Sequence, residues 1–106
     1  KEAREYRMAL SAEDFRPYGE SVIAALTDWA KAQDGVSLAG DNFEGVRVNF
    51  SPERGNGWCL LRMSLHEPLM PLNIESDDVG GVDKIANELY PVLKGFDKLD
   101  TEKLRG

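Results

Sequence analysis

Three strand-like segments follow one another between residues 46 and 75, and no helical segment separates them. The first alternates apolar with polar side chains, which is the period of a half-buried strand: Val46, Arg47, Val48, Asn49 and Phe50. The loop at 51–57 contains a proline and two glycines, residues 58–63 are largely apolar, and residues 69–75 are strand-forming again. Sequential strands with short links pair as an antiparallel meander. The sequence therefore predicts a sheet of this kind, with 58–63 as a central strand.

Two amphipathic helical segments flank the three strands. The first is predicted from Gly19 to Gln33, and Pro17 suits its first turn. The second is expected after the cap-like run Ser76-Asp77-Asp78, and Pro91 should end or kink it near Tyr90. Each has an apolar stripe at helical spacing: Val22, Ile23, Leu26, Trp29 and Ala30 in the first, and Val82, Ile85, Ala86, Leu89 and Leu93 in the second.

An additional strand is predicted at Glu5–Leu10, where Tyr6, Met8 and Leu10 alternate with Arg7 and Ala9. The run Gly40-Asp41-Asn42 is predicted to be a turn. Because Pro71 cannot donate to a strand ladder, its strand is expected at an edge or with a bulge. The order β-α-β-β-β-α predicts a two-layer α+β domain over residues 1–96, with an antiparallel four-stranded sheet and two helices on one face. The charged tail, residues 97–106, is expected to be frayed.

Composition excludes several classes of partner. The net charge is −6, with 13 basic residues scattered among 19 acidic ones, which argues against nucleic acid and anionic membranes. The single cysteine excludes an intrachain disulfide, no Cys/His cluster has zinc-ligand spacing, and a reducing, cytoplasmic setting is indicated. Cys59 itself is expected to be a small buried hydrophobe. The chain does not begin with Met, so we expect it to be part of a longer protein.

The segment after residue 61 concentrates the polar chemistry of the chain. An arginine fork, a hydroxyl and an imidazole follow one another at Arg62, Ser64 and His66, and such groups can bind an oxyanion such as phosphate. Simpler interpretations remain: Arg62 pairing with Glu75, Ser64 as a turn residue, and His66 as a solvated loop residue. We find no nucleophile–base arrangement, no metal site and no glycine-rich nucleotide loop, so no residue is assigned a catalytic role.

Three motifs together resemble the C-terminal domain of the α-D-phosphohexomutases. They are Glu44-Gly45-Val46-Arg47-Val48, then Gly57-Trp58-Cys59-Leu60-Leu61-Arg62-Met63-Ser64, then Glu67-Pro68. This family includes phosphomannomutases, phosphoglucomutases and phosphoglucosamine mutases. The resemblance covers roughly residues 5–96, and it implies a TBP-like arrangement of the sheet and helices.

The resemblance also implies a function. Family members are four-domain phosphotransferases that interconvert hexose 6-phosphate and hexose 1-phosphate, with a phosphoserine in the first domain and Mg²⁺ in the second. In the fourth domain an Arg-x-Ser loop holds the non-transferring phosphate of the hexose phosphate or bisphosphate, and here Arg62 and Ser64 match it. Glu67 and Pro68 match the pair that closes the loop. The chain departs from the family at Leu65, where a small or amide residue is common, and at His66, where threonine is usual; His66 can replace the threonine as a donor.

The isolated domain is therefore expected to bind but not to catalyse, and its other partners are the remaining domains of the parent. A rival hypothesis is a non-catalytic protein-interaction module of α+β fold, which a large exposed apolar patch would favour. An RNA-binding sheet is disfavoured by the acidic charge and by the lack of paired exposed aromatic residues.

Overall fold

The computed structural model describes residues 1–42, 45–64 and 66–105, and at 40–42 the backbone alone. Five strands and two α-helices follow one another, with a 3₁₀ turn at Pro52–Arg54 and another at Glu102–Arg105. Their bounds are β1 Glu2–Ala9, α1 Phe15–Lys31, β2 Val36–Asn42, β3 Gly45–Phe50, β4 Gly57–Arg62, β5 Leu69–Ser76 and α2 Gly81–Leu93. The α+β class and the antiparallel sheet are confirmed.

The sheet has five strands, in the order β1-β5-β4-β3-β2, so the prediction of four was wrong. The strand that the sequence did not predict is β2, which includes the residues predicted to form a turn at 40–42. Val36 pairs with Phe50 and Leu38 with Val48, and the register then shifts by one residue before Asp41 pairs with Val46. A β-bulge of this kind lets glycine and aspartate, which are poor strand formers, continue an edge strand.

β4 lies at the centre of the sheet, as predicted, but β5 is also an inner strand, between β4 and β1. The expectation that Pro71 marks an edge or a bulge was therefore wrong: Pro71 pairs in register with Arg7 of β1. In an antiparallel sheet the N–H of an inner residue points towards one neighbour only, so proline removes a single ladder bond. The pairing of β5 with β1 runs through Pro71 without a break, whereas its pairing with β4 ends at Leu72, one residue after Pro71.

Both helices pack on one face of the sheet, and their predicted apolar stripes form much of the core. In α2 all five stripe residues are buried; in α1 Val22, Leu26 and Ala30 are buried, whereas Ile23 and Trp29 are half-buried. The helices meet inward-facing strand residues that include Met8, Val48, Cys59, Leu72 and Ile74. These contacts make the domain two-layered.

The bounds of the helices differ from the predicted ones. α1 begins one turn earlier than predicted, and Pro17 lies in its first turn as expected. The Ser76 hydroxyl accepts the N–H of Asp78 in the turn that precedes α2, so it does not cap the helix itself. Pro91 does not end α2, which continues to Leu93, because Leu93 is fully buried and Asn87, whose carbonyl loses a donor, is exposed to water.

The C-terminal segment is packed against the domain and not frayed. Leu99 forms a bridge with Leu10 at the end of β1, and the N–H of Asp100 donates to the Ala9 carbonyl at 2.9 Å. Leu104, in the last 3₁₀ turn, is only 1% exposed. The burial of these leucines offsets the high charge of the segment. Its last residue, Gly106, lies outside the described residues.

Candidate functional site

Arg62 is the last residue of β4, on the face of the sheet opposite the helices. Cys59, Leu61 and Met63 are buried on the helix side. Because successive side chains of a strand point to opposite faces, Arg62 points to the open side. The Arg62 side chain is half-buried, and the structure gives it no hydrogen bond or ion pair with any described residue. The alternative pairing of Arg62 with Glu75 is not formed, and Glu75 lies opposite Trp58 instead.

The predicted loop connects β4 with β5 and is closed by backbone hydrogen bonds. The N–H of Ser64 donates to the Leu69 carbonyl at 2.9 Å, and the N–H of Leu69 donates to the Glu67 carbonyl at 2.7 Å. The Pro68 carbonyl accepts the N–H of Leu10 at 2.7 Å, which ties the loop to the end of β1. Glu67 and Pro68, predicted to support the loop, thus contribute backbone carbonyls, while both residues are exposed.

The base of the loop is held by Met63, which packs against α1 at Gly19. A Cβ at position 19 would clash with the Met63 sulfur, so the glycine makes room for this contact. Met63 is 7% exposed. The chain is therefore anchored in the core immediately between Arg62 and Ser64, as a site that depends on side-chain placement requires.

The three predicted phosphate-binding residues, Arg62, Ser64 and His66, line one open depression of about 270 Å³. Ser64 is half-buried and His66 is exposed. The other described residues of its wall are Arg7, Met63, Leu69 and Pro71. None of these seven residues is acidic, so the depression is locally basic although the chain carries a net charge of −6. A hydroxyl, an imidazole and guanidinium groups at one concavity can donate several hydrogen bonds to an oxyanion.

Arg7 was not identified as a site residue from the sequence. It is exposed on β1, and its Nη1 lies 3.7 Å from Oε1 of Glu5. Because Arg7 alternates with Tyr6 and Met8, the sequence indicated that Arg7 lies on the outward face of its strand. Nothing local in the sequence indicated that β1 pairs with β5, which is the contact that brings Arg7 to the depression.

Two other motif residues contact each other on the open face of the sheet. The guanidinium of Arg47 lies over the ring of Trp58, 4.3 Å from the ring centre. Trp58 is half-buried on the open face of the sheet. Val79, at 94% exposure, is the one large hydrophobic side chain that is exposed among the described residues. Leu65 of the loop and Glu44 of the first motif lie outside the described residues.

Other chemistry has little support in the part of the chain that the structure describes. Cys59 is fully buried, and that burial raises the pKa of its thiol to about 12, so it is not a thiolate at neutral pH. No group of three or more His, Cys, Asp or Glu residues among those described is placed to hold a metal ion. Neither described helix is both long and apolar enough to cross a bilayer.

Compared with known proteins, the chain matches no family model and no curated protein sequence.

Proposed function

We propose that this chain is the phosphate-anchoring C-terminal domain of a cytoplasmic phosphohexomutase of the phosphomannomutase/phosphoglucomutase type. The parent enzyme would interconvert hexose 6-phosphate and hexose 1-phosphate through a bisphosphorylated intermediate. Its other domains would supply the phosphoserine, the Mg²⁺ and the recognition of the sugar. This domain would bind the phosphate that is not being transferred.

One observation carries the proposal: Arg62, which is half-buried and has no hydrogen-bond or ion-pair partner among the described residues, lines an open depression together with Ser64 and His66. A half-buried arginine without a carboxylate partner has lost part of its hydration without receiving an ion pair in return. A phosphate would supply charge-assisted hydrogen bonds to this group and could accept another from the Ser64 hydroxyl. Arginine suits this task better than lysine because its planar fork matches two phosphate oxygens.

The anchor would act on catalysis through position. Binding energy from a remote phosphate is used to hold the reacting end of the sugar in the geometry of transfer. The intermediate must bind in both orientations, so the loop should recognise the phosphate and make few contacts with the ring. This fits an open depression better than a closed sugar-shaped cavity.

The proposal is tested by titrating the isotope-labelled 106-residue chain with a hexose bisphosphate at low ionic strength while recording backbone NMR shifts. We expect the largest shifts at Arg62, Ser64 and His66. The variant Arg62→Ala should weaken binding by roughly 10- to 100-fold, the range expected for hydrogen bonds between charged groups. The affinity of Arg62→Lys should lie between those of the unmodified chain and of Arg62→Ala, because lysine keeps the charge but lacks the planar fork of arginine.

The matched control is Arg47→Ala, which removes the same charge from the same face of the sheet at a residue that does not line the depression. It should change the affinity less than twofold, a threshold of about 0.4 kcal/mol. Absence of shifts at millimolar ligand, or equal effects of the two alanine variants, would contradict the proposal. A non-catalytic protein-interaction module would then be the better hypothesis.

A further inference from the structure

Arg7 reaches the same depression from a different strand. It lies on β1 opposite Pro71 of β5. The β4–β5 ladder ends at the pair Leu61–Leu72, and the bond from the Ser64 N–H to the Leu69 carbonyl continues its register, so Pro71 and Arg62 lie side by side. Arg7, Pro71 and Arg62 therefore form one row across β1, β5 and β4, on the face that the helices leave open. Neighbouring strands lie about 4.8 Å apart, so the backbones of the two arginines are roughly 10 Å apart.

Pro71 keeps the space between the two arginines clear of competing polar groups. Its ring is compact and carries no side-chain donor or acceptor. Pro71 is buried although it lies on the open face, which fits long neighbouring side chains that cover it. Two arginines on either side of a small apolar residue can both donate to one phosphate that lies above it.

The ion pair that Arg7 forms in the free domain is weak. Its contact with Glu5 is 3.7 Å long, and the side chains of Arg7 and Glu5 are 56% and 43% exposed. Exposed ion pairs of this type contribute little to stability, and water competes for both partners. Glu5 does not line the depression. A phosphate could therefore replace Glu5 as the partner of the Arg7 guanidinium at a small cost in free energy.

We infer that Arg7 supplies a second guanidinium to this site, and that the site selects a phosphate monoester dianion over a phosphodiester. The inference rests on the proposed function, because it concerns the same depression. A terminal phosphate carries between about −1.5 and −2 charges at neutral pH and has three free oxygens. A diester carries one negative charge and two free oxygens, so it can satisfy one arginine fork but not two.

The test is a titration of the 106-residue chain with methyl phosphate and, separately, dimethyl phosphate at pH 8, read from the Nε–H signals of Arg7 and Arg62. We expect both signals to shift with methyl phosphate, and dimethyl phosphate to bind at least about tenfold more weakly. Arg7→Ala should weaken methyl phosphate binding roughly tenfold and remove much of the preference for the monoester. Glu5→Gln, which frees Arg7, should tighten binding about twofold.

Arg4→Ala is the matched control. Arg4 is on the same strand and of the same charge, but it bonds Tyr6 and Asp83 on the helix side of the sheet. If Arg7→Ala weakens binding no more than Arg4→Ala does, while Arg62→Ala weakens it strongly, the role of Arg7 is refuted and the proposed function stands. If methyl phosphate and the hexose bisphosphate both fail to bind the unmodified chain, both proposals fail. Dispersed NMR spectra of each variant check that it is folded.

Discussion

Gly45 lies opposite Arg62 in the antiparallel pairing of β3 with β4, and a Cβ at position 45 would stand 3.1 Å from the Arg62 Cγ. The same Cβ would clash with the carbonyl oxygen of Leu61. Because Gly45 has no side chain, the stem of Arg62 can lie against the backbone of β3. The glycine of the first sequence motif and the arginine of the second thus meet at one point of the sheet.

The first prediction concerns this contact. Gly45→Ala should lower the free energy of unfolding by about 1–3 kcal/mol, because the β3–β4 backbone must shift to admit the methyl group. It should also weaken phosphate binding by displacing Arg62. Urea denaturation and phosphate titration measure the two effects. Gly95→Ala is the control, since a Cβ there would meet nothing within 4 Å; equal urea midpoints for the two variants would contradict the prediction.

A second prediction concerns the ion pair between Arg54 and Glu88, which joins the 3₁₀ turn after β3 to α2. The side chains are only 25% and 22% exposed, and Arg54 also donates to the Asp34 carbonyl. Removing either partner leaves a partly buried charge unpaired, so Arg54→Ala should lower stability by about 1–2 kcal/mol. The exposed pair of Arg105 with Glu102 is the comparison, and Arg105→Ala should cost less than about 0.5 kcal/mol. Thermal or urea unfolding of the two variants measures how much stability each one loses. Similar losses for Arg54→Ala and Arg105→Ala would contradict this ranking.

Thiol chemistry gives a third prediction. Burial raises the pKa of the Cys59 thiol to about 12, so in the folded protein very little thiolate exists even at pH 9. Cys59 should therefore react with a disulfide reagent only when the domain unfolds, and the rate should follow the unfolding equilibrium. Measuring labelling against urea concentration tests this. Rapid labelling in the absence of urea would show that the central strand opens locally.

A fourth prediction concerns acid stability. Hydrogen bonds from the backbone N–H of Gly80, at 3.1 Å, and Val82, at 3.3 Å, lower the pKa of the Glu2 carboxyl. A lowered pKa means that the ionised carboxyl stabilises the fold above its unfolded pKa of about 4.3. That contribution disappears as the pH falls through the lower, folded value. The difference in Tm between the unmodified chain and Glu2→Gln should thus be present at pH 7 and vanish in strong acid; a difference that persists at every pH would contradict this role.

Much of the fold could be predicted because its signals are local. The apolar stripe of α2 was correct in every position, since a period of 3.6 residues is visible within one segment. The strand β2 was missed because Gly40 and Asp41 resemble a turn and because the bulge interrupts the alternation. Pro71 was misplaced for another reason. Whether a strand has one neighbour or two depends on β1, more than sixty residues earlier in the chain.

The candidate site was predictable to the same extent. Arg62, Ser64 and His66 lie close together in sequence, so their proximity follows from a single loop. Arg7 joins them only through the pairing of β1 with β5, and no feature of residues 1–10 reveals that partner. The role of the packing at Gly19 was likewise invisible, because it depends on how α1 crosses the loop base at Met63.

The bridge between Leu10 and Leu99 has a consequence for self-association. β1 is an edge strand, and open edges invite other chains to pair with them. Residues 98–100 already occupy the carboxyl end of that edge, through the bond from the Ser11 N–H to the Lys98 carbonyl and the bond from the Asp100 N–H to Ala9. The terminal segment thus blocks this end of the edge strand. A foreign peptide could extend the sheet beside the loop only after displacing residues 98–100.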